Sequence, residues 1–389
     1  MTRPHALAGF TVLDLATVGP AARCSRILAD YGATVIKIGA PPRRGGVQIE
    51  PAYYAYSGGR GTKKIKLDLK ALEGKAAFFK LAEKADVVIE SYRPGDVDRL
   101  GIGYQEVRKR NERIIYCSTS GFGQDGPASQ WAGHDINYLA MGGFLHCSGR
   151  RADGGPPLPG ATVADSAAGG MHAAIAILAA LLRRTATGKG EYLDVSIADG
   201  VLSLMSLAID QHLATGEEPG PGHDILTGRY ACYDSYEARD GKWLSVGAIE
   251  PSFYENLCRG LDCDRWIEHQ HDDAVQDQIR ADFRAAFKSR DRDAWVAELA
   301  ASNTCVAPVY SISELVEDDH FEFRRAFNRA HNPKAGSFRQ LAPPLAGMNP
   351  ADEPVEVRDP AETDTLELLE AVGFAPSELE KLRADGVVA

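Results

Sequence analysis

Residues 10–38 constrain the fold most. Phe10-Thr11-Val12-Leu13-Asp14-Leu15 is an apolar run of strand character, and Thr17-Val18-Gly19-Pro20 is a turn. A helix follows from Pro20 to Tyr31, with proline near its first position, and Ala33-Thr34-Val35-Ile36-Lys37-Ile38 is a second strand. Strand, helix and strand at this spacing form a βαβ unit, so the two strands run parallel. The alternation continues with strands expected at 64–69, 85–91, 114–118 and 192–196 and helices at 71–84 and 104–111. An open, mainly parallel α/β sheet is the reading, nucleotide-binding in style. The first turn lacks GxGxxG, so a dinucleotide is not indicated.

Open sheets of this kind take ligands at the carboxyl ends of their strands. Two segments fall there. Arg93-Pro94-Gly95 follows the 85–91 strand directly, and Ser120-Gly121-Phe122-Gly123-Gln124-Asp125-Gly126-Pro127 follows the next one. Three glycines and a proline make the second a surface that backbone or ligand can approach closely. An Ala-rich helix after Asp165 runs to Arg184 and stops at Thr187-Gly188-Lys189-Gly190, and another is expected over 197–213.

Residues 214–228 are rich in Gly and Pro and mark a domain boundary. Beyond it, 230–238 and 243–248 flank Asp240-Gly241, a strong hairpin signal. Helices are expected at 251–261 and across 273–301, a short strand at 305–309 and a helix at 314–326. The remainder is polar, with a late helix at 362–372.

Composition bears on partners and compartment. A formal charge of −11 argues against nucleic acid as a partner. Seven cysteines, an odd number without CxxC, read as reduced thiols rather than a disulfide or zinc framework. The first residues have no long apolar core, and the longest apolar run, 167–182, is short for a membrane span and contains His172. A cytoplasmic protein with no metal and no membrane partner is the expectation.

Three residues carry candidate chemistry. His134 lies in Gly133-His134-Asp135-Ile136-Asn137-Tyr138, either as a proton carrier or as a hydrogen-bonded core histidine. Asp165 closes Pro159-Gly160-Ala161-Thr162-Val163-Ala164-Asp165 and opens the long helix, either as a base or as a helix cap. Glu250 stands between a strand and the helix opened by Pro251, where the dipole alone favours an acid. Walker A, HExxH, GxSxG and metal-ligand spacings are absent, so nothing points to phosphoryl transfer, a serine hydrolase or a metal enzyme.

With these residues in view, the chain resembles the family III CoA-transferase (CaiB/BaiF-type) superfamily nearly end to end. Asp30-Tyr31-Gly32-Ala33, Tyr92-Arg93-Pro94-Gly95, Ser120-Gly121-Phe122-Gly123-Gln124 and Val306-Ala307-Pro308-Val309 support this. The stretches 133–138 and Gly247-Ala248-Ile249-Glu250-Pro251 are similar to the α-methylacyl-CoA racemase branch.

The resemblance implies an α/β fold with a large Rossmann-like domain (1–220), a smaller α+β domain (221–320) and a C-terminal segment (321–389) returning to the large one. It further implies an interlocked homodimer, with His134 and Asp165 from one chain and Glu250 from its partner. The implied reaction is racemisation of a 2-methylacyl-CoA through an enolate. His134 with Glu250 would serve one face, Asp165 the other, and the Asp165 backbone N–H would donate to the enolate oxygen. No cofactor is implied beyond the coenzyme A of the acyl-CoA substrate, for which Arg93, Arg43, Arg44, Lys63 and Tyr138 are the candidate binding residues.

Two departures stand out. Gly39-Ala40-Pro41-Pro42 lacks the arginine the family often carries there, and Ala161 replaces an asparagine. The alternative within the superfamily is a CoA transferase in which Asp165 is a nucleophile. A silent acyl-CoA-binding protein would show neither proton exchange nor transfer.

Overall fold

The computed structural model describes residues 4–16, 19–41, 59–348, 354–359 and 361–389. The βαβ unit is β1 (Thr11–Asp14), the helix Gly19–Asp30 and β2 (Thr34–Gly39), with β1 and β2 parallel. β3 (Lys63–Lys66), β4 (Val87–Glu90), β5 (Ile115–Ser120) and β6 (Tyr192–Ser196) complete a six-stranded sheet in the order β3-β2-β1-β4-β5-β6. All its pairings are parallel. That order reverses between β1 and β4, the place where doubly wound sheets open a crevice.

The central strands are buried on both faces, which is why they read as continuous apolar runs rather than alternating ones. One face packs Ala21, Cys24 and Leu28 of the first helix against Ala173 and Ile177. The other packs Phe78 and Leu81 against Leu369 and Leu379 of the C-terminal helices Thr365–Ala371 and Pro376–Ala384. The C-terminal segment is stitched on by backbone as well: Lys64 N–H donates to Asp364 Oδ2 (2.8 Å) and Asp364 N–H to Lys64 O (2.7 Å).

The chain divides into two compact units, one of residues 1–142, 159–205 and 323–389 and the other of 143–158 and 206–322. In the second unit, β7 (Tyr233–Glu237) and β8 (Trp243–Gly247) form the hairpin read from Asp240-Gly241. β9 (Val306–Pro308) adds a third antiparallel strand. Tyr236, Tyr254, Phe283 and Phe287 fill its core.

Four sequence expectations need correction. The helix placed over 197–213 breaks into Ile197–Leu204 and Ser206–Thr215. The helix at 314–326 is two short ones, Ile312–Leu315 and Asp319–Phe323. The polar C-terminal stretch contains a sheet, β10 (Phe327–Asn332), β11 (Gly336–Leu341) and β12 (Val355–Glu356). Its inward positions include Asn328, Asn332 and Gln340, so no apolar alternation announces it.

Finally, the apolar helix is longer than the 167–182 run. It spans Ala164–Thr187, 24 residues with a mean hydropathy of 1.5, enough by length and composition to cross a membrane. Its inward side chains, Ala173, Ala174, Ile177 and Leu181, lie in the core of the first unit. Buried Arg184, near its end, pairs with Asp86 (2.7 Å).

Glu90 ends β4 and is 1% exposed. Its carboxylate accepts the Tyr92 N–H (2.7 Å) and a bond from Ser118. Burial outweighs these bonds, and Asp98 and Asp96 add to it, so the carboxyl is pushed up to about 7 from the usual 4.5. The folded chain therefore holds this proton to higher pH than the unfolded chain does. Stability from it is full below about pH 4.5 and is lost as pH rises through about 7. Glu90→Gln removes that slope: unfolding free energies from denaturant titrations should match the parent near pH 4.5 and exceed it above pH 7, by about 3 kcal/mol at most.

Candidate active site

The site is assembled where β5 stops. Gly121 follows the strand directly, and a side chain there would meet the Tyr138 ring at 2.4 Å, so only glycine lets the loop lie this close. Phe122 stacks edge-on against both Trp131 (5.8 Å) and Tyr138 (5.1 Å). The Tyr138 hydroxyl donates to Gly133 O at 2.7 Å. These contacts fold the 121–133 loop back onto the helix Asp135–Met141 and fix the residue before His134.

His134 is the N-cap of that helix. Its N–H donates to Asn137 Oδ1 (3.0 Å), and the Asn137 N–H donates to His134 O (2.8 Å). The backbone is thus held from both sides while the residue stays exposed.

Asp165 comes from the other segment. It lies in a π-helical turn, Ala164–Met171, that runs straight into the α-helix His172–Thr187. Wide turns of this kind are rare and concentrate at functional sites. Gly169 lets the turn approach the first helix, since a Cβ there would sit 2.6 Å from Pro20.

The Asp165 N–H donates to Asp135 Oδ1 at 2.8 Å. This corrects the expectation that the same N–H is open for an enolate oxygen. The Asp165 carboxyl is half-buried, and its pKa is raised, chiefly by burial and then by the Asp135 charge. Arg23 and His134 pull it partly back. Arg23 in turn donates to Thr162 Oγ1 at 2.6 Å, bracing the loop before Asp165.

His134 and Asp165 open into one cleft of about 450 Å³. Its floor is the carboxyl edge of the sheet, including Gly19, Ser91, Thr119 and Ser120, at the switch point between β1 and β4. Arg93 and Tyr138 line it as well. Arg93 is exposed and makes no ion pair among the described residues. Tyr138 is 7% exposed, and its hydroxyl is committed to Gly133, so it positions the loop rather than offering a free donor.

Lys63 does not line this cleft. Lys63 begins β3 and pairs with Glu367 (2.8 Å). Arg43 and Arg44 lie outside the described residues. Glu250 belongs to the second unit, where it N-caps the helix Pro251–Gly260 without a side-chain capping bond. Its carboxylate is exposed and acts on the neighbouring Cys305 thiol, whose pKa is raised by burial and by this charge. The carbonyls of Ala248 and Ile249 just before it accept from Gln270 (3.0 and 2.7 Å), which steadies the approach.

Sequence reasoning missed Arg23, Asp135 in its own right, and Ser120. Asp135 stood in plain view beside His134. Arg23 sits on a helix whose register gave no sign of the loop it would meet.

The doubly wound α/β unit has counterparts among known proteins. Residues 7–363 match the family described as CoA-transferase family III, and the chain belongs to it. It is 34% identical over 387 residues to the alpha-methylacyl-CoA racemase of Homo sapiens, covering 98% of this chain and 97% of that protein. It is 32% identical over 323 residues to the acetyl-CoA:oxalate CoA-transferase of Acetobacter aceti, covering 79% and 81%. Among solved structures, a CAIB/BAIF family protein from Brucella suis superposes with a TM-score of 0.78 at 25% identity, covering 95% of this chain and all of that one.

Asp135 offers a test of the geometry. Asp135→Asn keeps an oxygen for the Asp165 N–H but removes the charge, so Asp165 should titrate at lower pH, read by carboxyl 13C NMR. Asp135→Ala strands the N–H and should cost about 1–3 kcal/mol in thermal or denaturant unfolding, with Asp135→Asn costing much less.

Proposed function

We propose that this protein racemises 2-methylacyl-CoA thioesters by removing the α-proton and returning one to either face. One observation carries the reading: His134 and Asp165, from two separate helix starts, open into one cleft, with Asp165's affinity for a proton raised. A thioester α-proton is far less acidic than either conjugate acid, so a base that holds its proton more firmly narrows the gap. Removal of the proton leaves a planar enolate. Reprotonation by the second group from the opposite face inverts the centre, and reprotonation by the first restores it.

Coenzyme A enters as part of the substrate, and the reading asks for no metal or further cofactor. Arg93 is the basic residue on the cleft and suits a CoA phosphate. Arg43 and Arg44 remain candidates from the sequence, whereas Lys63 is spent on Glu367.

The chain acts as a homodimer in this reading, with Glu250 serving the partner's His134. Exposed Ile175, Leu182, Leu207 and Leu213 supply apolar surface that a second copy would cover. A reducing cytoplasm suits seven unpaired cysteines. Nothing in the reading calls on nucleic acid or a membrane.

Purified protein with a 2-methylacyl-CoA in D2O should place deuterium at C2 and yield both epimers from either one. CoA transfer to a free acid without exchange, with hydroxylamine trapping an acyl or CoA adduct on Asp165, would instead make it a transferase. Assembly is tested by complementation. His134→Ala and Glu250→Gln chains, each inactive alone, should regain about a quarter to a half of parental activity when refolded together; a fully active monomer would end the shared-site idea.

A further inference from the structure

The bond from the Asp165 N–H to Asp135 leaves the thioester oxygen without the donor first expected for it. Proton removal moves negative charge onto that oxygen, and a buried enolate without a donor is costly. Ser91 and Ser129 line the cleft where water reaches them, and three more hydroxyls lie deeper. The Tyr138 hydroxyl is committed to Gly133 O, and the Thr119 hydroxyl donates to Glu90 O (3.2 Å). Ser120 differs. It lines the cleft and is 8% exposed, and its Oγ is buried with no hydrogen-bond partner among the described residues. Buried hydroxyls almost always find a partner, so an orphan at a ligand edge marks a place a ligand group fills.

Its backbone is fixed. Ser120 is the last residue of β5, in register with Ser196 of β6. Gly121 just beyond it accepts the Ala198 N–H (3.0 Å) and is wedged against Tyr138. With the backbone held, a rotation about the Cα–Cβ bond is all that turns this buried hydroxyl to the cleft.

We propose that the Ser120 hydroxyl donates a hydrogen bond to the thioester carbonyl oxygen and to the enolate oxygen it becomes. The inference rests on the racemase reading for its enolate, but the contact to the acyl thioester is separable from it. No covalent bond forms. The α-proton passes to Asp165 or His134, the electron pair moves onto the carbonyl oxygen, and Ser120 keeps its proton throughout.

Ser120→Ala should lower kcat for α-deuterium exchange by about 10²-fold, the usual loss for one such donor. It should weaken equilibrium binding of a 2-methylacyl-CoA by about fivefold, the worth of one hydrogen bond. Binding of free CoA should stay within about twofold, because the missing contact is to the acyl carbonyl. The melting temperature should hold or rise, since removing an unpaired buried hydroxyl costs the fold nothing. Ser120→Cys, nearly isosteric with a weaker donor, should fall between parent and alanine.

Parental exchange and parental acyl-CoA affinity in Ser120→Ala would overturn the inference while leaving the racemase reading intact. A melting temperature that falls with activity, or equal losses for CoA and acyl-CoA, would overturn it too, by making Ser120 structural. A parent that exchanges no protons but whose Ser120→Ala variant loses acyl-CoA affinity alone would sink the racemase reading and keep the Ser120 contact.

Discussion

Everything at the site depends on one hydrogen bond, from the backbone of Asp165 to the side chain of Asp135 (2.8 Å). The two residues lie 30 apart in sequence and start two different helices. Each helix start has N–H groups with no partner inside its own helix. Here one such group is satisfied by the acid that opens the other helix. The carboxylate thus ties the two starts together, and His134 and Asp165 are brought to one cleft as a consequence. A neutral acceptor would also satisfy the N–H, but it would not charge the site. Asp135 does both, since its charge is the second-largest cause of the rise in Asp165's proton affinity, after burial.

The π-turn has a related consequence. Successive residues in an α-helix advance by about 100° around the axis. A turn that takes in one more residue rotates what precedes it relative to the helix that follows. The helix from His172 can keep Ala173, Ile177 and Leu181 on the sheet while Asp165, near the start of the wide segment, lines the cleft. Close packing of Gly169 on Pro20 and Gly200 on Ala168 holds the wide turn in place. Core packing and site geometry thereby impose their demands on different sides of the same helix.

Much of this was legible in the chain itself. The βαβ opening, the continuous apolar strands and the Asp240-Gly241 hairpin are local patterns, and local patterns survive folding. His134 and Asp165 stood out through the motifs shared with the resembled family, and both line one cleft. Asp135 did not, because its role is a contact with a backbone 30 positions away, and one sequence carries no trace of such a pairing. Arg23 stayed hidden for the same reason, reaching Thr162 across 139 residues. The β10–β11 hairpin escaped because it buries Asn328, Asn332 and Gln340 where alternation demands apolar side chains. Lys63 starts β3 and pairs with Glu367, while the cleft lies at the strands' other ends.

The same cleft could serve a base or a nucleophile, and the physical difference lies in what must approach Asp165. As a base, the carboxylate needs only to reach one hydrogen, and a raised proton affinity helps it directly. As a nucleophile, it must bond to the acyl carbon and later be released to a second acid, with both anions accommodated beside Asp135. That negative neighbour works against gathering further carboxylates, whereas it favours a proton arriving on Asp165. A transferase built on this frame would need positive charge to offset Asp135. Arg23 supplies part of it, with one N–H on Nη2 donated to Thr162 Oγ1. Burial and the Asp135 charge raise the proton affinity of Asp165 through a neighbour that neither reaction consumes.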